Sequence, residues 1–244
     1  MKNIKLILQY DGTAYHGWQT QENSVTVQQT VEDAIKKLTG VRPKLCGCGR
    51  TDTGVHARKY VCNFKTESKI PCDKLPYAIN TYLPPDIVCI GAEEADLDFD
   101  SRKSAIGKTY TYVIANSLYS NVFFNNRAWH YRYSLDIEKM KKAAAHFLGT
   151  HDFLGFAASG FTVKTTIRTI HSIEISKKDD IIEISVTGNG FLYNMVRIIA
   201  GTLVFVGNGK INPDDIPDII ASRDRKKAGI TAPACGLYLT EVYY

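Results

Sequence analysis

The stretch from Phe191 to Val206 is apolar nearly all round, interrupted by Asn194 and Arg197. A helix without a polar face has to be covered on every side, so this segment demands a layered core built from several elements. It falls short of the roughly 20 apolar residues that a spanning helix needs, and no membrane segment is expected. The 244 residues exceed a prior of about 150 per domain, which predicts one large or two fused α/β domains. At 44% hydrophobic and 23% charged residues the chain can supply the sizeable core this requires, and collagenous or disordered classes are excluded.

The N-terminus, Met1 to Gly12, has too short an apolar run for a signal peptide and no small-residue cleavage site; it reads as a first strand. Six cysteines (Cys46, Cys48, Cys62, Cys72, Cys89, Cys235) are too sparse for a disulfide scaffold. A reducing, cytoplasmic compartment is therefore expected. Thirty Lys plus Arg against twenty-five Asp plus Glu leave a net charge of +5. The resulting pI near 8.8 leans toward a polyanionic partner without deciding it.

Thr26-Val27-Gln28-Gln29 has the form of a capping box, and Val27, Val31, Ala34, Ile35 and Leu38 repeat at helical spacing up to Gly40. Strands are predicted at Tyr60 to Lys65 and Asp86 to Ala92, with a helix between them around Asp73 to Tyr82, ended by Pro84-Pro85. Beyond Ser101, Lys108 to Ala115 and Arg127 to Tyr131 read as strands. Leu135 to Leu148 reads as a helix with Ser134 as N-cap and Gly149 at C′. Thr166 to Ser176 and Ile181 to Thr187 form a hairpin with a loop of about four residues. Asn212-Pro213 opens a last short helix, and Gly236 to Tyr244 closes as a strand.

Both halves thus run strand, helix, strands, which hints at a duplicated unit, although no residue-level repeat is visible. The expected class is α+β: two fused α/β subdomains sharing a mixed, mainly antiparallel sheet with helices packed on one face. The division is expected at residues 1–105 and 106–244.

Cofactor signatures fail on their spacing. Gly107-Lys108-Thr109 resembles the end of a P-loop, but Arg102 stands where its first Gly belongs. Gly47-Cys48-Gly49 and Gly188-Asn189-Gly190 lack the third Gly of a dinucleotide fingerprint. Cys46 and Cys48 are not a C-x-x-C pair, and no H-x-E precedes a P-C-x-x-C, so neither a metal site nor zinc deamination is supported. His56 reads as a surface or core histidine, there being no nucleophile arrangement for it to serve.

Two segments carry more. In Cys48 to Ala57 a carboxylate, Asp52, sits between glycines with Arg50 two residues away, leading into a strand. Close approach of a ligand and an ordinary tight Asp/Gly turn both fit that pattern. Tyr10 to Gln19 puts three aromatics, a His and two glycines in a loop, suited either to stacking on bases or to packing inside a turn.

Taken together, Tyr10-Asp11-Gly12-Thr13, Gly17-Trp18-Gln19, Thr26-Val27-Gln28, Gly49 to Ala57, Lys108 to Ile114, Gly149 to Phe153, Asn189 to Arg197 and Thr231 to Leu239 resemble the tRNA pseudouridine synthase A family over nearly the whole chain. Thr53 stands where many relatives have Ala, and Tyr193-Asn194 replaces a His pair often found before Met195. The resemblance implies an isomerase that turns uridine into pseudouridine at positions 38, 39 and 40 of the tRNA anticodon stem-loop. It implies a homodimer, and neither cofactor nor metal. It makes Asp52 the catalytic carboxylate, attacking the sugar or the base or abstracting a ribose proton. Arg197 becomes the cation that pairs with Asp52, Tyr110 the ring that stacks on the target base, and Arg50 a holder of the flipped nucleotide. By their sequence positions alone, a snorkelling Arg197 at a helix edge and a Tyr110 packed in the core of its strand fit as well. The first domain then carries the Asp52 loop and the second completes the cleft. Arg223-Asp224-Arg225-Lys226-Lys227 offers phosphate contacts or simply a solvated basic turn. A non-catalytic tRNA-folding chaperone and a synthase with another substrate are the rivals; the joint presence of Asp52, Tyr110 and Arg197 argues against the first.

Overall fold

A computed structural model describes residues 1–160 and 164–244. In chain order the elements are β1 (Lys2–Tyr10), α1 (Val27–Thr39), β2 (Cys46–Gly47), β3 (His56–Thr66), α2 (Leu75–Asn80), β4 (Ile87–Ala95), β5 (Gly107–Ala115), β6 (Trp129–His130), α3 (Ile137–Ala145), β7 (Gly149–Asp152), β8 (Ile167–Lys178), β9 (Ile181–Gly188), α4 (Met195–Gly207), α5 (Ile216–Ser222) and β10 (Leu237–Tyr243). The class is α+β with mixed, mainly antiparallel pairing. Two compact units emerge, Met1–Ile106 with Tyr238–Tyr244, and Gly107–Leu237.

In the first unit β1 lies between β4 and β3, antiparallel to both, and β10 runs parallel to β3 through Tyr238 opposite His56 and Leu239 opposite Ala57. Ile4, Leu6, Leu8 and Tyr10 alternate into the core, the period-2 pattern of a strand with one buried face. On α1 the Thr26 half of the predicted capping box is present: Thr26 Oγ1 accepts the Gln29 N–H at 3.4 Å, and Gly40 ends the helix at φ 78°. A buried polar knot holds the connection after β4. Asn3 Nδ2 donates to the Asp96 carbonyl at 2.7 Å, Asn63 Nδ2 donates to Asn3 Oδ1 at 3.0 Å, and the Ser101 N–H donates to Asn63 Oδ1 at 2.9 Å.

In the second unit β5, β9, β8 and β7 form an antiparallel run. Helix α4 is buried along almost its whole length, as its composition demands, with Arg197 and Phe205 half-buried. Phe147, Phe153 and Phe156 pack edge to face beside it.

Several local expectations shift. Pairing runs as far as Lys178 opposite Ile181, so the hairpin turns on Asp179 and Asp180 alone, with Asp179 at φ 52°. A turn that short needs a left-handed residue, which Asp tolerates. The N-cap of α3 is Asp136, whose carboxylate accepts the Lys139 N–H at 3.0 Å, rather than Ser134; the buried Leu135 just before it sets where the helix can begin. Gly149 opens the unpredicted β7 at φ 92° instead of ending α3. Phe191 to Asn194 precede α4 rather than joining it, and the strand expected over Arg127 to Tyr131 shrinks to β6.

Candidate active site

Asp52 sits in the connection from β2 to β3, half-buried, on a turn closed by the Val55 N–H donating to the Asp52 carbonyl at 3.1 Å. Both shoulders of the turn are buried. Thr51 bonds Tyr10 hydroxyl to hydroxyl at 2.8 Å, its carbonyl accepts the Trp18 N–H at 3.1 Å, and the Gly54 N–H donates to the Tyr15 carbonyl at 3.3 Å. The loop Tyr10 to Gln19 therefore clasps the Asp52 turn from one side. Gly17 makes the clasp feasible: it lies at φ 81°, and a Cβ there would collide with the Thr51 carbonyl oxygen.

The same contacts decide between stacking and packing for the aromatic loop. Tyr10, Tyr15 and Trp18 are only 4%, 4% and 2% exposed. Trp18 stacks on Tyr60 with ring centroids 3.9 Å apart, and the Tyr15 hydroxyl donates to Asp86 at 2.7 Å. Burial first, then that carboxylate, pushes the Tyr15 phenol far above its ordinary pKa. These rings brace the loop and have no free face for a base. His56 is likewise a core residue, taking the Gly12 N–H on Nδ1 at 3.0 Å and lying flat against Tyr238 at 4.6 Å. Arg50 is exposed, and its Nε donates to Gln19 Oε1 at 2.6 Å.

The second unit holds Tyr110 and Arg197. Tyr110 stands on β5 opposite Val186 of β9, half-buried, its ring edge-on to Phe191 at 5.3 Å. Arg197 occupies the first turn of α4. Its Nε donates to the Ala232 carbonyl at 2.7 Å and its Nη1 to Asn194 Oδ1 at 2.8 Å, so the plane of the guanidinium is held by two chain segments. The segment that supplies Ala232 lies directly on the α4 backbone. A Cβ at Gly201 would collide with the Ile230 carbonyl, the Gly229 N–H donates to the buried Thr202 hydroxyl at 2.8 Å, and the Tyr112 hydroxyl donates to the Pro233 carbonyl at 2.7 Å.

Arg50 and Asp52 thus share one loop of the first unit, and Tyr110 and Arg197 belong to the second. Sequence reasoning missed Asn194, visible only as a departure from the family pattern, and the Ala232 carbonyl, which no side chain announces. In the basic run Arg225 is part of the scaffold, donating to the Gly229 carbonyl at 2.7 Å and to Thr231 Oγ1 at 3.0 Å. Arg223 pairs with Asp152 at 3.1 Å, and Lys226 and Lys227 are exposed cations of that run with no side-chain bond among the described residues. Among the described residues no cluster of three or more His, Cys, Asp or Glu is arranged to hold a metal ion, and no helix is long and apolar enough to cross a membrane.

A family model described as tRNA pseudouridine synthase matches residues 6–102 and 143–244. The chain belongs to the tRNA pseudouridine synthase family. It is 53% identical over 244 residues to a tRNA pseudouridine synthase A of Thermoanaerobacter sp. (strain X514) and 54% identical to one of Acetivibrio thermocellus, covering 100% of each chain in both cases. A tRNA pseudouridine synthase A 2 of Clostridium perfringens is 50% identical at the same coverage. Among solved structures, a chain in the crystal structure of a Cbf5-Nop10-Gar1 complex aligns at TM-score 0.41 and 11% identity, over 96% of this chain and 57% of that one. As a member of the tRNA pseudouridine synthases, the protein is an isomerase acting on uridine in tRNA.

Proposed function

We propose that the protein isomerises uridine at positions 38, 39 and 40 of the tRNA anticodon stem-loop, with Asp52 as its catalytic carboxylate. The observation that carries this reading is the clasped turn: a half-buried Asp52 presented between the buried Thr51 and Val55, inside the Gly49 to Ala57 segment. The reaction breaks the N1–C1′ bond, turns the base and joins C5 to C1′; the C5 proton leaves and N1 regains one. Nothing is oxidised or hydrolysed, so the chemistry asks for an ionised, aimed carboxylate, whether it adds to sugar or base or takes a ribose proton. In this reading Arg197 keeps that carboxylate ionised, and Tyr110, steadied edge-on by Phe191, stacks on the uracil. Arg50 holds the flipped nucleotide, whose extrusion costs a few kcal/mol. The working enzyme is a cytoplasmic homodimer, and tRNA is its partner.

The test is incubation of purified protein with unmodified tRNA transcripts, followed by carbodiimide treatment and primer extension. Stops at 38, 39 and 40 are the expected result. Stops elsewhere in the tRNA would replace the positional assignment, and modification only of another RNA would replace the substrate. Sedimentation of the free protein at micromolar concentration should show a dimer.

A further inference from the structure

We propose that Asn194 is a positioning residue for the isomerisation, aiming the Arg197 guanidinium in place of capping its own helix. The inference rests on the reading that Arg197 supports Asp52. An Asn at a helix N-cap ordinarily has extended backbone and accepts the N–H of the second or third helical residue with its side chain. Asn194 does neither. Its backbone is left-handed, at φ 61° and ψ 7°, and its side chain takes no backbone N–H of α4. The amide oxygen instead accepts Nη1 of Arg197, the third residue of the helix, at 2.8 Å. The helix start is intact all the same, since the Asn194 carbonyl accepts the Ile198 N–H at 2.9 Å.

A non-glycine residue in that region is uncommon, and Asn is among the few that tolerate it. The conformation is what swings the amide away from the N–H groups and onto the guanidinium. With Nε on the Ala232 carbonyl at 2.7 Å, the second bond restrains the tilt of the Arg197 guanidinium about the first. A planar cation anchored along two in-plane N–H directions presents its charge along one line. Small misplacement of a supporting charge is costly in rate, which gives this bond its functional weight.

Glycine enters the left-handed region without a Cβ penalty, so Asn194→Gly keeps the backbone and removes only the amide. Relief of the left-handed backbone offsets the lost hydrogen bond, so the expected result is a folded protein with a Tm within a few degrees of the wild type and a tRNA Kd within about threefold. The single-turnover rate should fall by about 10- to 100-fold, with the acid limb of the pH–rate profile displaced upward. In an Arg197→Met background the same change should cost no further rate, because there is no guanidinium left to aim. Asn194→Asp supplies a second folded variant: it retains an acceptor but offsets the Arg197 charge, and should also slow turnover. Wild-type turnover in both folded variants, with Arg197→Met impaired, overturns the role of Asn194 and leaves that of Arg197 standing. Wild-type turnover in Arg197→Met overturns both. Losses that multiply in the double variant overturn the positioning role, since Asn194 would then act through another group.

Discussion

At the scale of single residues, the candidate site is a matter of how a carboxylate is held rather than of which carboxylate it is. Asp52 is only half-buried, yet the residues on either side of its turn are core, tied to Tyr10, Tyr15 and Trp18. Removing the side chain should leave that scaffold standing. Asp52→Ala is therefore expected to abolish isomerisation while tRNA affinity stays within about tenfold, or roughly 1.4 kcal/mol, because binding to a polyanion is spread over many phosphate contacts. Filter binding alongside single-turnover kinetics, in a preparation free of host enzyme, checks both halves. Measurable turnover by that variant would remove Asp52 from the chemistry.

At the scale of elements, two connections do what no strand or helix does alone. The segment from Gly229 to Pro233 lies along α4 and delivers the Ala232 carbonyl to Arg197; it is tied to the helix by the Ala232 N–H, which donates to the Arg197 carbonyl at 3.1 Å, and by the fully buried Thr202 hydroxyl. Thr202→Val keeps the shape and leaves the Gly229 N–H buried without an acceptor, at a cost of about 1–3 kcal/mol. Urea unfolding should register that loss, and turnover should drop with it as the Ala232 anchor loosens. The second connection follows β4. The Asp100 carboxylate accepts the N–H groups of Lys103 and Arg102, both at 2.9 Å, and the Cys46 thiol. Of these the Lys103 N–H does most to hold its pKa below the ordinary 3.8. A depressed carboxylate stabilises the fold above its unfolded pKa and loses that contribution as pH falls through the folded one. The Tm of the wild type should accordingly drop more between pH 4 and pH 2 than that of Asp100→Asn, a difference thermal melts at stepped pH would reveal. Parallel slopes would show that the charge on Asp100 contributes nothing.

At the scale of the molecule, the chemistry proposed is a redox-neutral rearrangement on a polyanionic substrate, and the chain carries a net charge of +5. Activity should survive exhaustive chelation and need no nucleotide or redox cofactor. Affinity for tRNA should fall steeply with salt, since each neutralised phosphate releases counterions. Loss of turnover with chelator, restored by one specific metal, would place a metal-ligand set among the cysteines and histidines.

Local physics accounts for what the chain announced by itself. The burial of α4, the Thr26 and Gly40 ends of α1, the alternation of β1 and the turn around Asp52 each depend on residues within a few positions of one another, where periodicity and capping operate. Family membership was legible for a related reason, because the motif segments are short and specific. What remained hidden depends on partners far along the chain. Tyr10 meets Thr51 across 41 positions and Arg197 meets Ala232 across 35, and neither pairing has a local signature. Those contacts decided between stacking and packing for the aromatic loop, in favour of packing, and they hold the Arg197 guanidinium. The left-handed backbone of Asn194 belongs with them: a single Asn is compatible with an ordinary cap, and the rarer conformation, with its amide on the Arg197 guanidinium, is seen only in the folded structure.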